Sequence, residues 1–325
     1  MITFAVVIPT RCRPDFLAAA VDSVLRQTYP ASEIVVVRDG VDAQLPESLP
    51  VGDVQVVDRP REGVAAARNA GIAATTAEWV CFLDDDDLWH PERLAAIADY
   101  LDSQPGCAAV HAGWWSFAAR RIAGVDLVAS TLDECLDAVT RVTAVSEMGY
   151  LDITGRSFDL LLEGPRCAIS TATVRRDVLM RSRGFPDGYT CAEDWVMAIN
   201  VARYTEWHYC NRRLSFVRQH AGNNTTTNPT NDIVTLRAIR EVWRDESQPT
   251  PAHRPLAEYA LDYRFLVQRT LWLALERGDM RTAREAMSIG LQMLPRNRDR
   301  AVTLVPPRVN RQLSKLRRLG PRRAA

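Results

Sequence analysis

Lysine is almost absent from this chain: Lys315 is the only one, and every other basic side chain is arginine. Such a bias reflects genomic base composition rather than mechanism. Net charge is absent too, at a formal +0, so no global field draws the protein to nucleic acid or to an anionic membrane. The 7 cysteines are odd in number and scattered, with no CxxC pair, which argues against a disulfide framework or a zinc site. Reduced thiols are then the default, and a cytoplasmic location is the expectation. No uninterrupted apolar run reaches membrane-spanning length. The start, MITFAVVIPT, has no basic leader and its apolar run is cut by Pro9, so it reads as a first strand and not a signal peptide. Acids are lacking after Asp299, where eight basic residues from Arg300 to Arg323 follow unopposed.

What is present, 47% hydrophobic and 25% charged residues over 325 positions, suits a globular protein of one or two domains. The informative stretch is Trp79 to Arg93, WVCFLDDDDLWHPER. Its apolar start is too short for a globular helix and reads as a buried strand. The strand runs into Asp84, Asp85, Asp86 and Asp87, and a helix is expected to begin near Pro91, with Leu94, Ile97 and Leu101 on one face. Open α/β sheets place their ligands at the carboxyl ends of strands. In extended backbone, side chains two apart share a side, so Asp84 and Asp86 can face one cation together. A hard divalent ion suits such oxygens, and Mg²⁺ takes one or two carboxylates plus substrate phosphates. An EF-hand is excluded, because Trp89 stands where its glycine is needed and Ala95 where its glutamate belongs. A solvated acidic turn is the competing reading.

Strands are expected at 3–8, 33–38, 54–57, 79–83 and 107–117, with helices at 15–27 and 62–75 between them. Alternation of this kind indicates parallel βαβ units and an α/β fold. The second strand also ends in an acid, Asp39, followed by Gly40. Alanines in EGVAAARNAGIAAT allow that helix to pack closely on the sheet. Residues 118–165 offer an amphipathic helix near 132–142 and no other motif. Thr190-Cys191-Ala192-Glu193 has capping-box spacing, which commits Glu193 to a backbone N–H and leaves Asp194 as a free acid in the first turn of a helix. A strand over 207–219 then leads to His220, and 222–231 is an exposed polar loop. Further on, 232–243 reads as a helix. Residues 256–277 and 280–294 form a helical hairpin like one tetratricopeptide unit, which needs a second surface, on this chain or on a second copy in a homodimer, to bury its face. Domain boundaries follow as 1–230, 231–300 and a basic tail, 301–325.

Five patterns taken in order resemble the family 2 glycosyltransferases of GT-A fold: VVIPTRCRPDFLAAAVDSVLRQTYPASEIVVVRDG, GVAAARNAGIA, FLDDDDLWHPERL, GFPDGYTCAEDW and FVRQHAGN. They cover about the first two-thirds of the chain. The resemblance implies a GT-A Rossmann-like, mostly parallel sheet flanked by helices, with a C-terminal helical extension outside the family pattern. It also implies inverting transfer of a sugar from a nucleotide-diphosphate donor to an acceptor hydroxyl, assisted by Mn²⁺ or Mg²⁺. By position, Asp39 would accept from the nucleotide base, and Thr10 and Arg68 would line the nucleotide and its diphosphate. Asp84, with Asp85 beside it, would lie on the donor side, at the ribose or the metal shell. Asp86 and His220 would hold the metal, and Asp194 would be the general base.

The pattern is not followed throughout. Arg11 and Cys12 replace the usual Tyr-Asn after Pro-Thr, and Arg38 and Val41 replace residues of the usual D-D-G-S. UDP, dTDP and GDP therefore stay open as donors, with retained Asp39 favouring UDP or dTDP. The acceptor is a glycan, a lipid-linked glycan, or a small molecule or peptide. Two rivals belong to other classes. A sugar nucleotidyltransferase needs a glycine-rich loop after the first strand, and PTRCRP has no glycine. A non-catalytic binding protein would act through its basic tail, which could also form an amphipathic helix at the inner face of a membrane. Trp114 and Trp115 could stack on a sugar but fit a core better, and His90 fits the helix boundary better than a metal.

Overall fold

The strand β1 (Phe4–Thr10) is buried along its whole length, so both faces of the sheet are covered at that point. This is why FAVVIPT is a continuous apolar run instead of an alternating one. The computed structural model describes residues 1–41, 44–50, 52–142, 148–220, 229–244, 249, 251, 256–259 and 262–294. After β1 come α1 (Pro14–Leu25), β2 (Glu33–Asp39), β3 (Gln55–Arg59), α2 (Val64–Ala74), β4 (Trp79–Phe82), β5 (Leu88–Trp89) and α3 (Arg93–Ser103). The chain continues through β6 (Ala109–Ala118), β7 (Leu127–Val128), α4 (Leu132–Thr140), α5 (Ser157–Glu163), β8 (Thr173–Arg175), α6 (Arg176–Arg181), α7 (Glu193–Ala202) and β9 (Trp207–Arg218). It ends, among the described residues, with α8 (Pro229–Arg244), α9 (Leu256–Tyr259), α10 (Arg264–Glu276) and α11 (Met280–Met293).

One sheet runs in the order β3-β2-β1-β4-β8-β6-β9-β5, with β7 beside β6. Strands β1, β2, β3 and β4 pair in parallel, as the alternating pattern requires. Beyond β4 the sheet is mixed: β8 is antiparallel to both β4 and β6, and β5 is antiparallel to β9. The short strands β5, β7 and β8 carry too few residues for a periodic signal, and none was expected from sequence. Expected strand 107–117 is β6, which pairs in parallel with β9 through a register shift at Gly113.

The chain divides into two compact units, 1–224 with 249–251 and 225–248 with 252–325. In the first, the α1 face of the sheet is filled by Phe4, Ile8, Leu17, Val21, Trp89, Leu94 and Ile97, all buried. Helix α4 is closed by a Thr131 cap whose hydroxyl accepts from Glu134 N at 3.2 Å, while Glu134 accepts from Ser130 N at 2.7 Å. In the second unit, α8 joins the hairpin: Arg269 of α10 clamps Asp232 through two bonds of 2.7 and 2.9 Å, and Arg237 pairs with Glu285 of α11. The expected first arm, 256–277, is two helices, α9 and α10, and α8 supplies the packing partner that a lone hairpin lacks. The basic tail lies outside the described residues. No described helix is long and apolar enough to cross a membrane.

Candidate active site

Parallel pairing brings the carboxyl ends of β1, β2 and β4 to one edge of the sheet. Thr10 is the last residue of β1, Asp39 the last of β2, and the four acids follow β4. The acid run is not extended. Asp87 N bonds to Asp84 O at 3.0 Å, so the chain turns with Asp85 and Asp86 at the corner. Asp84 and Asp86 do come together, but through this turn and not through the alternation of an extended strand. Ligand atoms of Asp84, Asp86 and also Asp87 lie within 4.8 Å of one another. Asp87 was legible only as a member of the run; its place in the cluster comes from the turn.

Asp85 points elsewhere. It is 1% exposed, accepts from the Thr10 hydroxyl at 2.7 Å and pairs with Arg13 at 2.9 Å. Burial pushes its carboxyl up to about 7, against the pull of Arg13 and Thr10. Arg13 spans to Asp86, whose Oδ2 also meets His220 Nε2 at 2.9 Å. No donor among the described residues reaches Asp86 Oδ1. The two oxygens of Asp87 are held by Ser170 Oγ at 2.6 Å and Arg218 N at 2.9 Å. The Arg218 guanidinium, stacked on Phe16 and Phe117, donates from Nε to Asp86 O at 2.8 Å. Arg13 and Arg218 lie inside patterns that carry the resemblance but were assigned no role there, and Ser170 carried no sequence signal beyond its type.

Asp39 accepts at Oδ1 from Glu62 N and Gly63 N, at 2.9 and 3.1 Å, and no described donor reaches Oδ2. Arg68, on α2, is 3% exposed and bridges Asp84 at 2.6 Å and Glu193 at 2.8 Å. That second contact corrects the capping box. Helix α7 is entered through Ala192 in a left-handed conformation with φ 63°, without a side-chain cap, and Glu193 is its first residue. With a buried guanidinium in reach, the glutamate takes the stronger, charge-assisted partner. Asp194 stays in the first turn, half-buried, with Oδ1 accepting from Trp195 N at 2.7 Å. Burial and then Glu193 raise its pKa to about 6, while Arg68 draws it down.

The site residues thus gather at one sheet edge: Arg68 links the acid run to Asp194's helix, and His220 reaches Asp86 from the end of β9. Trp115 is buried beneath Arg213, with its ring 4.3 Å from the guanidinium carbon, as a core aromatic would be. His90 sits at the boundary before α3, its carbonyl accepting from Arg93 N at 2.9 Å.

Residues 5–122 match the family profile described as Glycosyl transferase family 2. An uncharacterized glycosyltransferase of Nostoc sp. is 37% identical over 103 residues, which are 30% of this chain and 32% of that one. The amylovoran biosynthesis glycosyltransferase AmsB of Erwinia amylovora is 32% identical over 113 residues, 32% of this chain and 38% of its own. The matched stretches thus span about a third of these relatives. S. aureus TarS 1–349, solved in complex with UDP-GlcNAc, superposes with a TM-score of 0.58 at 16% identity, covering 98% of this chain and 88% of that one. At that identity the likeness speaks for the fold.

Proposed function

Because residues 5–122 match the glycosyl transferase family 2 profile and the chain has the GT-A fold, we propose that it is a family 2 enzyme that transfers a sugar from a nucleotide-diphosphate donor to an acceptor hydroxyl with inversion. The observation that carries this reading is Asp194. Its carboxylate lies in the first turn of a helix at the edge that gathers the acids, and no described donor reaches its Oδ2. A pKa of about 6 leaves it ionised at neutral pH yet basic enough to take a proton.

The donor nucleotide lies across the ends of β1 and β2. There Asp39 Oδ2 can accept the ring N–H of uracil or thymine, which favours a UDP- or dTDP-sugar. TarS, which shares the fold, was solved with UDP-GlcNAc. Arg13 and Arg68 bring positive charge toward the diphosphate from either side of the acid run.

A divalent cation, Mn²⁺ or Mg²⁺, fits the donor set. Asp84 and Asp86 offer hard carboxylate oxygens, and one oxygen of each has no donor among the described residues. Asp87 fits less well, because both of its oxygens are engaged. Once bound, such a cation neutralises charge on the departing nucleoside diphosphate, so no protein acid is needed there.

Asp194 accepts the acceptor hydroxyl's proton as that oxygen bonds to the anomeric carbon. The carbon–oxygen bond to the diphosphate breaks on the opposite face, and the nucleoside diphosphate leaves. The sugar passes through oxocarbenium character, and its configuration inverts. A screen of UDP-, dTDP- and GDP-sugars with Mn²⁺ identifies the donor, and NMR of the product reads the anomer. Asp194→Asn should retain nucleotide affinity and lose about two to four orders of magnitude in turnover. A retained anomer, or near-normal turnover in Asp194→Asn, overturns the assignment.

A further inference from the structure

Arg68 is an unusual side chain for this site because it is 3% exposed and serves two acids at once. Its NH1 donates to Glu193 Oε1 at 2.8 Å and its NH2 to Asp84 Oδ1 at 2.6 Å. The Phe185 ring lies 5.1 Å from the guanidinium carbon and narrows its freedom further. A third acid, Asp194, is close enough to Arg68 for each to perturb the other electrostatically, yet receives no hydrogen bond from it. Attraction between a buried guanidinium and a carboxylate grows as water is excluded. An arginine beside Asp194 would therefore pair with it unless its terminal nitrogens were held elsewhere, and the buried Nε, which has no hydrogen-bond partner, does not reach Asp194.

From this arrangement we infer that Glu193 is a positioning residue for the transfer reaction. It holds Arg68 against Asp84 and away from Asp194, so that the carboxylate meant to take the acceptor's proton stays unpaired. The inference rests on the reading of Asp194 as the base.

Among the described residues, the titratable and charged groups that face Asp194 are few. Glu193 precedes it on α7, Arg68 approaches from α2, Asp84 from the turn after β4, and Cys167 from the segment before β8. Neutralising Glu193 acts twice: it removes a neighbouring negative charge, and it loosens the hold on Arg68 NH1, since an amide oxygen accepts more weakly than a carboxylate, so that NH1 turns to Asp194. Only the second effect needs Arg68, and that separates the inference from simple repulsion.

Carboxyl ¹³C NMR of aspartate-labelled protein, without donor or metal, reads the Asp194 midpoint directly, and Asp194→Asn identifies its resonance by disappearance. Glu193→Gln should lower the midpoint by about one to three pH units with Arg68 present. The same change should lower it by at least about one unit less in an Arg68→Met background, the difference being the coupling. Equal shifts in the two backgrounds, or none, overturn the inference. Thermal melts establish that each variant is folded, and Arg68→Gln replaces Arg68→Met if that variant is not. Failure of the base reading would show separately, as near-normal turnover in Asp194→Asn, and would leave the NMR comparison readable.

Discussion

Thr10 and Asp85, 75 residues apart, are joined by a 2.7 Å hydrogen bond from hydroxyl to carboxylate, and both are buried. The bond ties the end of β1 to the corner of the acid run and fixes which way Asp85 points. Thr10→Val keeps the shape and removes the donor. It should cost about 1.5–3 kcal/mol at pH 8, where Asp85, with a pKa of about 7, is ionised. At pH 5 the carboxyl is protonated and the loss should shrink toward that of a neutral bond, about 1 kcal/mol. Urea denaturation in EDTA measures both. An equal cost at the two pH values would mean that the hydroxyl does not serve the charged form.

The metal assignment separates Asp86 from Asp85. UDP with Mn²⁺ should raise the melting temperature of the wild type and of His220→Ala, and should leave that of Asp86→Asn unchanged. His220→Ala should need several-fold more Mn²⁺ for the half-maximal shift, because the imidazole reaches Asp86 Oδ2 at 2.9 Å. An Asp86→Asn protein that responds like the wild type would remove Asp86 from the cation site.

The parallel half of the sheet was legible because β1, β2 and β4 are apolar runs buried on both faces, and both Asp39 and the acid run lie just beyond strand ends. What sequence could not supply is chain direction after β4. Three-residue β8 has no period to read, yet it reverses the sheet between β4 and β6. Glu193 shows a different limit. A T-x-x-E spacing is local information and did predict a cap at residues that proved to have none, while Thr131 and Glu134, with the same spacing, do cap α4. The difference is Arg68, 125 positions before Glu193, which no local pattern contains.

Gly71 tests the packing of α2 on the sheet. A Cβ there would stand 2.3 Å from Val7 Cγ1 and 3.2 Å from Val37 Cγ2, side chains of two central strands. Gly71→Ala gains about 1 kcal/mol in helix propensity. Overpacking should cost about 1–3 kcal/mol and should prevail, because Val7 is wholly buried. The expected net result is a lower melting temperature, largely restored when Val7→Ala is added. A Gly71→Ala protein as stable as the wild type would show that α2 can retreat from the sheet without penalty.

His111 makes the last prediction, one about acid stability. The ring is wholly buried in β6, with the rings of Tyr209 and Trp207 centred 5.2 and 6.2 Å away. Burial disfavours the imidazolium and lowers the pKa from 6.5 to about 4. Between those values the unfolded chain binds a proton that the folded ring refuses. The contribution is therefore fully present above pH 6.5 and is lost as pH falls toward about 4. At about 1.4 kcal/mol per pKa unit, the whole window is worth roughly 3 kcal/mol. His111→Phe keeps an apolar ring in the same space and cannot titrate. Carboxylates weaken both proteins in acid, so the informative quantity is the difference in how much stability each loses between pH 7.5 and 4.5. Urea denaturation should find the loss smaller in His111→Phe by about 2–3 kcal/mol. Equal losses in the two proteins would mean that His111 gains its proton without leaving the fold.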